Sequence, residues 1–228
     1  MKYYQSPRWS NEIADCSMPM TFDTYSNCSY SCLYCFSQFQ RALGGAKDDY
    51  LHKVVHPVNV EKVKRMFSEP DKYGGQFATY IKERKVMQWG GLSDEFDNFE
   101  KKYGQTLELL KFFKEIDYPL CFSTKATWFT DDDRYMSLIE GQKNWNFKFS
   151  IITLDEKKAK VIERGVASPL KRLEAIRRIV EAEAGGGNFA PTAFYYRGEH
   201  TKLSRTDTGG SPAGRNGTQH GVLLHGAA

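Results

Sequence analysis

Short apolar segments with strand character alternate along this chain with helical stripes, and that alternation restricts the fold more than any other feature. Met18 to Tyr25 reads as a first strand. Val58 to Phe67 carries Val60, Val63 and Met66-Phe67 at helical spacing and ends before Pro70. Lys85-Val86-Met87-Gln88-Trp89 reads as a second strand, stopped by Gly90-Gly91. Thr106 is placed to N-cap a helix running through Ile116. Leu120 to Thr124 is a third strand, and Phe147 to Thr153 a fourth, alternating Phe147, Phe149 and Ile151. Ser168-Pro169 opens a last helix striped by Leu173, Ile176, Ile179 and Val180. Strands that alternate with helices imply βα units and a parallel sheet, hence the α/β class.

In barrels of such units the chemistry collects at the C-terminal ends of the strands. Three segments fall there: a cysteine-rich loop after the first strand, Gly90-Gly91 after the second, and Thr124-Lys125 after the third. The loop holds Cys28, Cys32 and Cys35 as C-x3-C-x2-C, followed by Phe36 and interleaved with Tyr30 and Tyr34. Thiolates at that spacing can wrap one corner of an iron–sulfur cubane. Such clusters are normally held by four cysteines, and here no fourth lies nearby, so one iron is left for a non-protein ligand. The competing reading is a structural zinc site, for which thiolates serve equally well. Zinc sites usually pair two short halves, and no second half is visible. Cys16 and Cys121 stand alone and read as small buried hydrophobes.

The other two segments add complementary chemistry. Gly90-Gly91-Leu92-Ser93-Asp94-Glu95 combines glycines that allow close backbone approach with carboxylates that suit an ammonium; its bland reading is a turn beside a solvated acidic patch. Lys125 can pair with a ligand carboxylate or can be an ordinary exposed lysine. Ser150 is a polar residue inside an apolar strand, available to a ribose or carboxylate. Glu163-Arg164-Gly165 and Arg172-Leu173 read as a surface ion pair.

Composition narrows the setting. With 228 residues the chain can build one domain with a real core. The net charge of +4, with both signs interspersed, does not by itself point to nucleic acid. No stretch approaches the ~20 apolar residues of a membrane span, and the first residues lack the apolar core of a signal peptide. Five cysteines, three of them clustered, argue against a disulfide framework and for a reducing cytoplasm.

Taken together, these motifs resemble the radical S-adenosylmethionine (SAM) superfamily, in its spore photoproduct lyase-like branch. That branch carries a cysteine loop, a Ser/Thr-Asp…Glu segment, a Thr-Lys-Ser turn and a Ser-Ile strand followed by Leu-Asp-Glu. The counterparts are Cys28 to Phe36, Ser93-Asp94 through Glu100, Thr124-Lys125, and Ser150-Ile151 with Leu154-Asp155-Glu156. Glu163 to Pro169 and Arg172-Leu173 match two later elements, so the likeness runs from about Asp15 to Ala184. It implies a partial (β/α)6 TIM-like barrel and a lyase-like enzyme. Its [4Fe–4S] cluster, held by Cys28, Cys32 and Cys35, would reductively cleave SAM to a 5′-deoxyadenosyl radical for hydrogen abstraction. Gly90, Gly91, Ser93, Asp94, Lys125 and Ser150 would contact SAM. An external electron donor of flavodoxin or ferredoxin type and a nucleic-acid substrate follow from the same resemblance. The alternatives are a non-catalytic metal-binding module and an inactive fragment. Two positions depart from the pattern: Ala126 stands where the branch has Ser, and Gly91-Leu92 stand where spore photoproduct lyases place a hydrogen-donor cysteine. Repair of the spore thymine dimer is therefore not expected.

The likeness gives out near Gly185-Gly186-Gly187. Residues 1–187 read as the partial barrel, and residues 188–228 as an irregular tail rich in Gly, Ser, Thr and Arg. The branch expects a fifth strand here. A one-base shift of the reading frame from Asn188 onward has codon choices that restore one, with Phe194, Tyr195 and Tyr196 replaced by Phe-Ile-Ile. On that reading the barrel is truncated after about four βα units.

Overall fold

The computed structural model describes residues 7–9, 18–184 and 194–196. In chain order, β1 (Arg8–Trp9), β2 (Met20–Phe22) and β3 (Ser31–Cys32) lead into α1 (Phe36–Leu43), α2 (Lys47–Leu51), α3 (Val60–Ser68), α4 (Pro70–Tyr73) and α5 (Ala78–Lys82). Next come β4 (Met87–Trp89), α6 (Asn98–Tyr103), α7 (Gln105–Glu115), β5 (Leu120–Thr124), α8 (Asp133–Ile139) and β6 (Trp145–Ile151). α9 (Glu156–Ile162), β7 (Glu163–Arg164), α10 (Pro169–Ala184) and β8 (Phe194–Tyr196) complete the described elements.

The main sheet has the order β1-β2-β4-β5-β6-β8. Only β1 is antiparallel to its neighbour; β2, β4, β5, β6 and β8 run parallel. The result is a mixed α/β fold around a mostly parallel sheet, open among the described residues. Alternation along the strands sorts the two faces. Phe22, Trp89, Phe122, Phe147 and Phe149 are fully buried on one face, where Phe122 stacks on Phe147 at 4.5 Å between centroids and Trp89 meets Phe113 of α7 edge-on. Phe67 of α3 packs edge-on against the same Phe113. Buried indole N–H groups are satisfied: Trp89 donates to the Thr24 hydroxyl and Trp145 to the Tyr118 carbonyl.

The structure moves several expected boundaries. β5 spans the expected Leu120–Thr124, whereas β2 and β4 are shorter than their apolar runs. β1 was not anticipated. α7 begins one residue before Thr106, after a left-handed Gly104 at φ +65° that separates it from α6. Thr106 is no N-cap: its hydroxyl donates to the Glu95 carbonyl. The buried Glu100 carboxylate instead accepts the Thr106 and Leu107 N–H groups at 2.8 and 2.9 Å, doing the capping from the preceding helix.

The stretch expected to be irregular contains a strand. Phe194–Tyr196 pairs with β6 in the register Phe149↔Phe194. An uncovered β6 edge would present a row of unpaired N–H and C=O groups, and this strand engages them. The parallel run thus extends to a fifth strand, beyond the four units expected. The rest of 185–228 and Cys16 lie outside the described residues. Among the described residues no helix is long and apolar enough to cross a membrane.

Candidate functional site

The cysteine loop leaves the C-terminal end of β2 and is fastened by side chains from far along the chain. Asn27 donates to the carbonyls of Asp49 and Val54 while its oxygen accepts the Cys28 N–H. Lys53, itself at φ +55°, sends its ammonium to the carbonyls of Cys28 (3.1 Å) and Tyr30 (2.6 Å). The Ser29 N–H donates to Asp97. Cys32 lies in β3, paired antiparallel with Glu163 of β7, and the Leu33 N–H reaches the Ile162 carbonyl. Cys35 closes a turn onto the Cys32 carbonyl and stands at the N-cap of α1. These bonds fix the main chain, and the Cys35 thiol also shares a side-chain hydrogen bond with Tyr50.

All three cysteines are free thiols; Cys32 is buried, and Cys28 and Cys35 are half-exposed. Burial pushes the Cys28 thiol well up, helped by the carboxylates of Asp97 and Asp94. Burial also pushes Cys32 up to about 11, against a counteracting pull from Lys125. Among the described residues no three His, Cys, Asp or Glu side chains are grouped to hold a single metal ion. A cubane makes a different demand, one thiolate on each of three irons, and the donor set of three soft thiols in one clamped loop has the chemistry for it.

The segment after β4 crosses the same rim. Gly90 sits at φ +95°, and a Cβ there would come within 2.6 Å of the Ser123 carbonyl oxygen, so only glycine fits. Gly91 follows it, half-buried. Leu92 and Ser93 donate their N–H groups to the Asp23 carboxylate, both at 2.9 Å, and the Ser93 hydroxyl lies between Asp23 and Glu95. Burial pushes Asp23 up, but Arg8 and these N–H groups hold it below the usual carboxylate range. Asp94 is not part of a solvated patch. It is buried and accepts from the Thr124 hydroxyl (2.8 Å) and the N–H groups of Lys125 (2.7 Å) and Phe96 (3.2 Å), while burial pushes its carboxyl up. Asp94 therefore ties this segment to the end of β5.

Lys125 is half-buried, with its ammonium 5.8 Å from the centroid of the Tyr34 ring in the cysteine loop. Thr124 pairs with Phe149, which brings Ser150 beside Lys125 at the ends of adjacent strands. The Ser150 carbonyl accepts from Arg172 at 2.6 Å. Arg172 and Glu163 form an ion pair that is fully buried, 0% and 2% exposed, not the surface pair expected. Glu163 also accepts the Tyr34 hydroxyl. Tyr34, Glu163, Arg172 and Ser150 thus make one connected chain from the cysteine loop to β6. The structure brings the cysteine trio, Gly90-Gly91, Lys125 and Ser150 to one rim, and gives Ser93 and Asp94 partners within the fold. Asp23, Lys53 and Tyr34 were missed as site-building residues. Their only signal is position: Asp23 and Tyr34 lie next to a strand end and a cysteine, and Lys53 has none.

No protein-family model matches the chain, and no curated protein sequence matches it significantly. Among solved structures, a double mutant of spore photoproduct lyase with bound AdoMet and dinucleoside spore photoproduct superposes with a TM-score of 0.52 and 22% identity. That match covers 80% of this chain and 46% of the other. Spore photoproduct lyase complexed with dinucleoside spore photoproduct gives 0.53 and 21%, over 86% and 47%. The chain spans about half the length of the structures it matches. The resemblance carried by the motifs is therefore matched by a resemblance of architecture: this chain shares the α/β fold of about half of spore photoproduct lyase.

Proposed function

We propose that this chain is a radical SAM protein with a partial-barrel architecture, its [4Fe–4S] cluster held by Cys28, Cys32 and Cys35. The observation that supports it best is the pairing of a clamped main chain with three cysteines free of disulfides at the C-terminal rim of a parallel sheet. When bound, the cluster would supply the electron that cleaves SAM into methionine and a deoxyadenosyl radical. The chain's own residues position the partners. Gly90 and Gly91 allow backbone carbonyls to approach an ammonium closely, and the Lys125 ammonium suits a carboxylate. Ser150 offers its hydroxyl from the neighbouring strand. Ser93 and Asp94 act on SAM through the segment they brace, as positioning residues. Burial of the Cys28 and Cys32 thiols favours their protonated form, so the metal displaces protons as it binds. The matched structures hold dinucleoside spore photoproduct, which supports a nucleic-acid substrate; reduction of the cluster would call for an external one-electron donor, of flavodoxin or ferredoxin type.

The test is anaerobic reconstitution, reduction with dithionite and addition of SAM, with 5′-deoxyadenosine measured by mass spectrometry. Formation of deoxyadenosine that needs the reductant and all three cysteines is expected; a reconstituted, reduced protein that leaves SAM intact contradicts the reading. With dinucleoside spore photoproduct present, no multiple-turnover repair is expected, since Gly91 and Leu92 cannot donate a thiol hydrogen.

A further inference from the structure

The sheet face turned away from the aromatic core has a composition that the barrel architecture does not require. Barrel interiors of parallel strands are usually packed with branched apolar side chains. Here the alternation that buries Phe147 and Phe149 on one face puts Lys148 on the other, in step with Thr21, Gln88 and Ser123 on neighbouring strands. Lys148 reaches across β5 to Gln88, with its ammonium 3.5 Å from the amide oxygen, and among the described residues no carboxylate pairs with it. Gln88 donates to the Ser123 hydroxyl at 2.8 Å, so the hydrogen of that hydroxyl remains to be given elsewhere. Thr21, 1% exposed, has a hydroxyl oxygen without any hydrogen-bond partner. A buried hydroxyl and a half-buried ammonium are both costly to leave so weakly partnered.

The unsatisfied groups share one polarity. Lys148, Ser123 and Thr21 are all able to donate. Asp23, a carboxylate at the rim, is already occupied by Arg8, Ser93 and the Leu92 N–H. From this the geometry points to an oxyanion-binding site on the inner face of the sheet, with Lys148 as its charged anchor. It takes a phosphate or carboxylate group of the substrate. The inference rests on the radical SAM reading for its meaning, since it places the substrate's anionic group below the rim that holds the cysteines. It does not rest on that reading for its test.

Isothermal titration of the intact chain, before any cluster is assembled, distinguishes the cases. The probes are thymidylyl-thymidine, which carries one phosphodiester, thymidine, inorganic phosphate and citrate. Thymidylyl-thymidine, inorganic phosphate or citrate should bind, and thymidine should not. Lys148→Met should weaken the binding about tenfold, the scale of one charge-assisted hydrogen bond. Lys148→Arg should keep most of it, and Lys143→Met, at an exposed lysine, should change nothing. A preference for the phosphodiester assigns a nucleic-acid substrate and a preference for citrate a small carboxylate; both sustain the site. Unchanged affinity in a Lys148→Met protein with parental thermal stability overturns it, as does failure of all three oxyanions at millimolar concentration. Cluster assembly is scored separately: a parent chain that binds an oxyanion but no iron would sink the enzyme reading and leave this site standing.

Discussion

The cysteine loop and the Gly90–Glu95 segment lie on the same rim, and the fold makes different use of their side chains. The loop is held mainly through its backbone, where Asn27, Lys53, Asp97 and Ile162 bind its N–H and C=O groups, with side-chain bonds from Tyr34 to Glu163 and between Cys35 and Tyr50. The glycine segment is held through its backbone at Asp23 and, in addition, through its side chains, because Ser93, Asp94 and Glu95 all bond within the fold. Glu95, for example, accepts the buried Thr24 N–H at 2.7 Å. A polar residue inside a motif is therefore not automatically a ligand. The test is whether the fold already uses it.

Substitutions can break that contrast, beginning with the largest effect. Glu163→Ala leaves Arg172 buried without its partner and should lower stability by about 3–5 kcal/mol in urea unfolding. A loss below about 1 kcal/mol would mean that the Tyr34–Glu163–Arg172 chain does not brace the loop. Asp94→Ala removes the acceptor for Thr124, Lys125 and Phe96 and should cost about 2–3 kcal/mol. If Asp94 were instead a dedicated ligand of SAM, the same variant would keep parental stability and lose only SAM binding. Lys125→Met should show the reverse pattern: stability within about 0.5 kcal/mol of the parent, with SAM binding to the reconstituted protein weakened about tenfold.

The smallest effect concerns thiol reactivity in the metal-free chain. Burial holds Cys32 at about 11, so its reactive thiolate is scarce at pH 8 and grows as pH rises. Alkylation of Cys32, followed by mass spectrometry, should still be accelerating at pH 9.5. Lys125→Met removes the cation that pulls this value down and should slow alkylation further at every pH. A plateau below pH 9 would mean that the loop is open to water.

The sequence made the parallel βα frame readable, because it depends on local pattern. Leu120–Thr124 could be bounded to the residue since its apolar run ends at a polar turn. The start of α7 was misread because Thr106 has the right chemistry for a cap, whereas the deciding features are Gly104 and a glutamate from the preceding helix. The ion pair of Glu163 and Arg172 was visible as two charges nine residues apart, but their burial depends on Tyr34 and Ser150, far away in sequence. Phe194–Tyr196 is only three residues long and becomes a strand because β6 offers it an edge. In the last two cases the missed information lies in a long-range partner.

The central claim is that this loop, and no other cysteine, holds a four-iron cluster. Iron and sulfide analysis after anaerobic reconstitution tests it most directly, on the parent and on Cys28→Ala, Cys32→Ala, Cys35→Ala and Cys121→Ala. The account predicts about four irons and four sulfides in the parent and in Cys121→Ala, and none bound stably in the other three. Retention of the cluster by any variant of the trio, its loss from Cys121→Ala, or zinc without sulfide in the parent would contradict it.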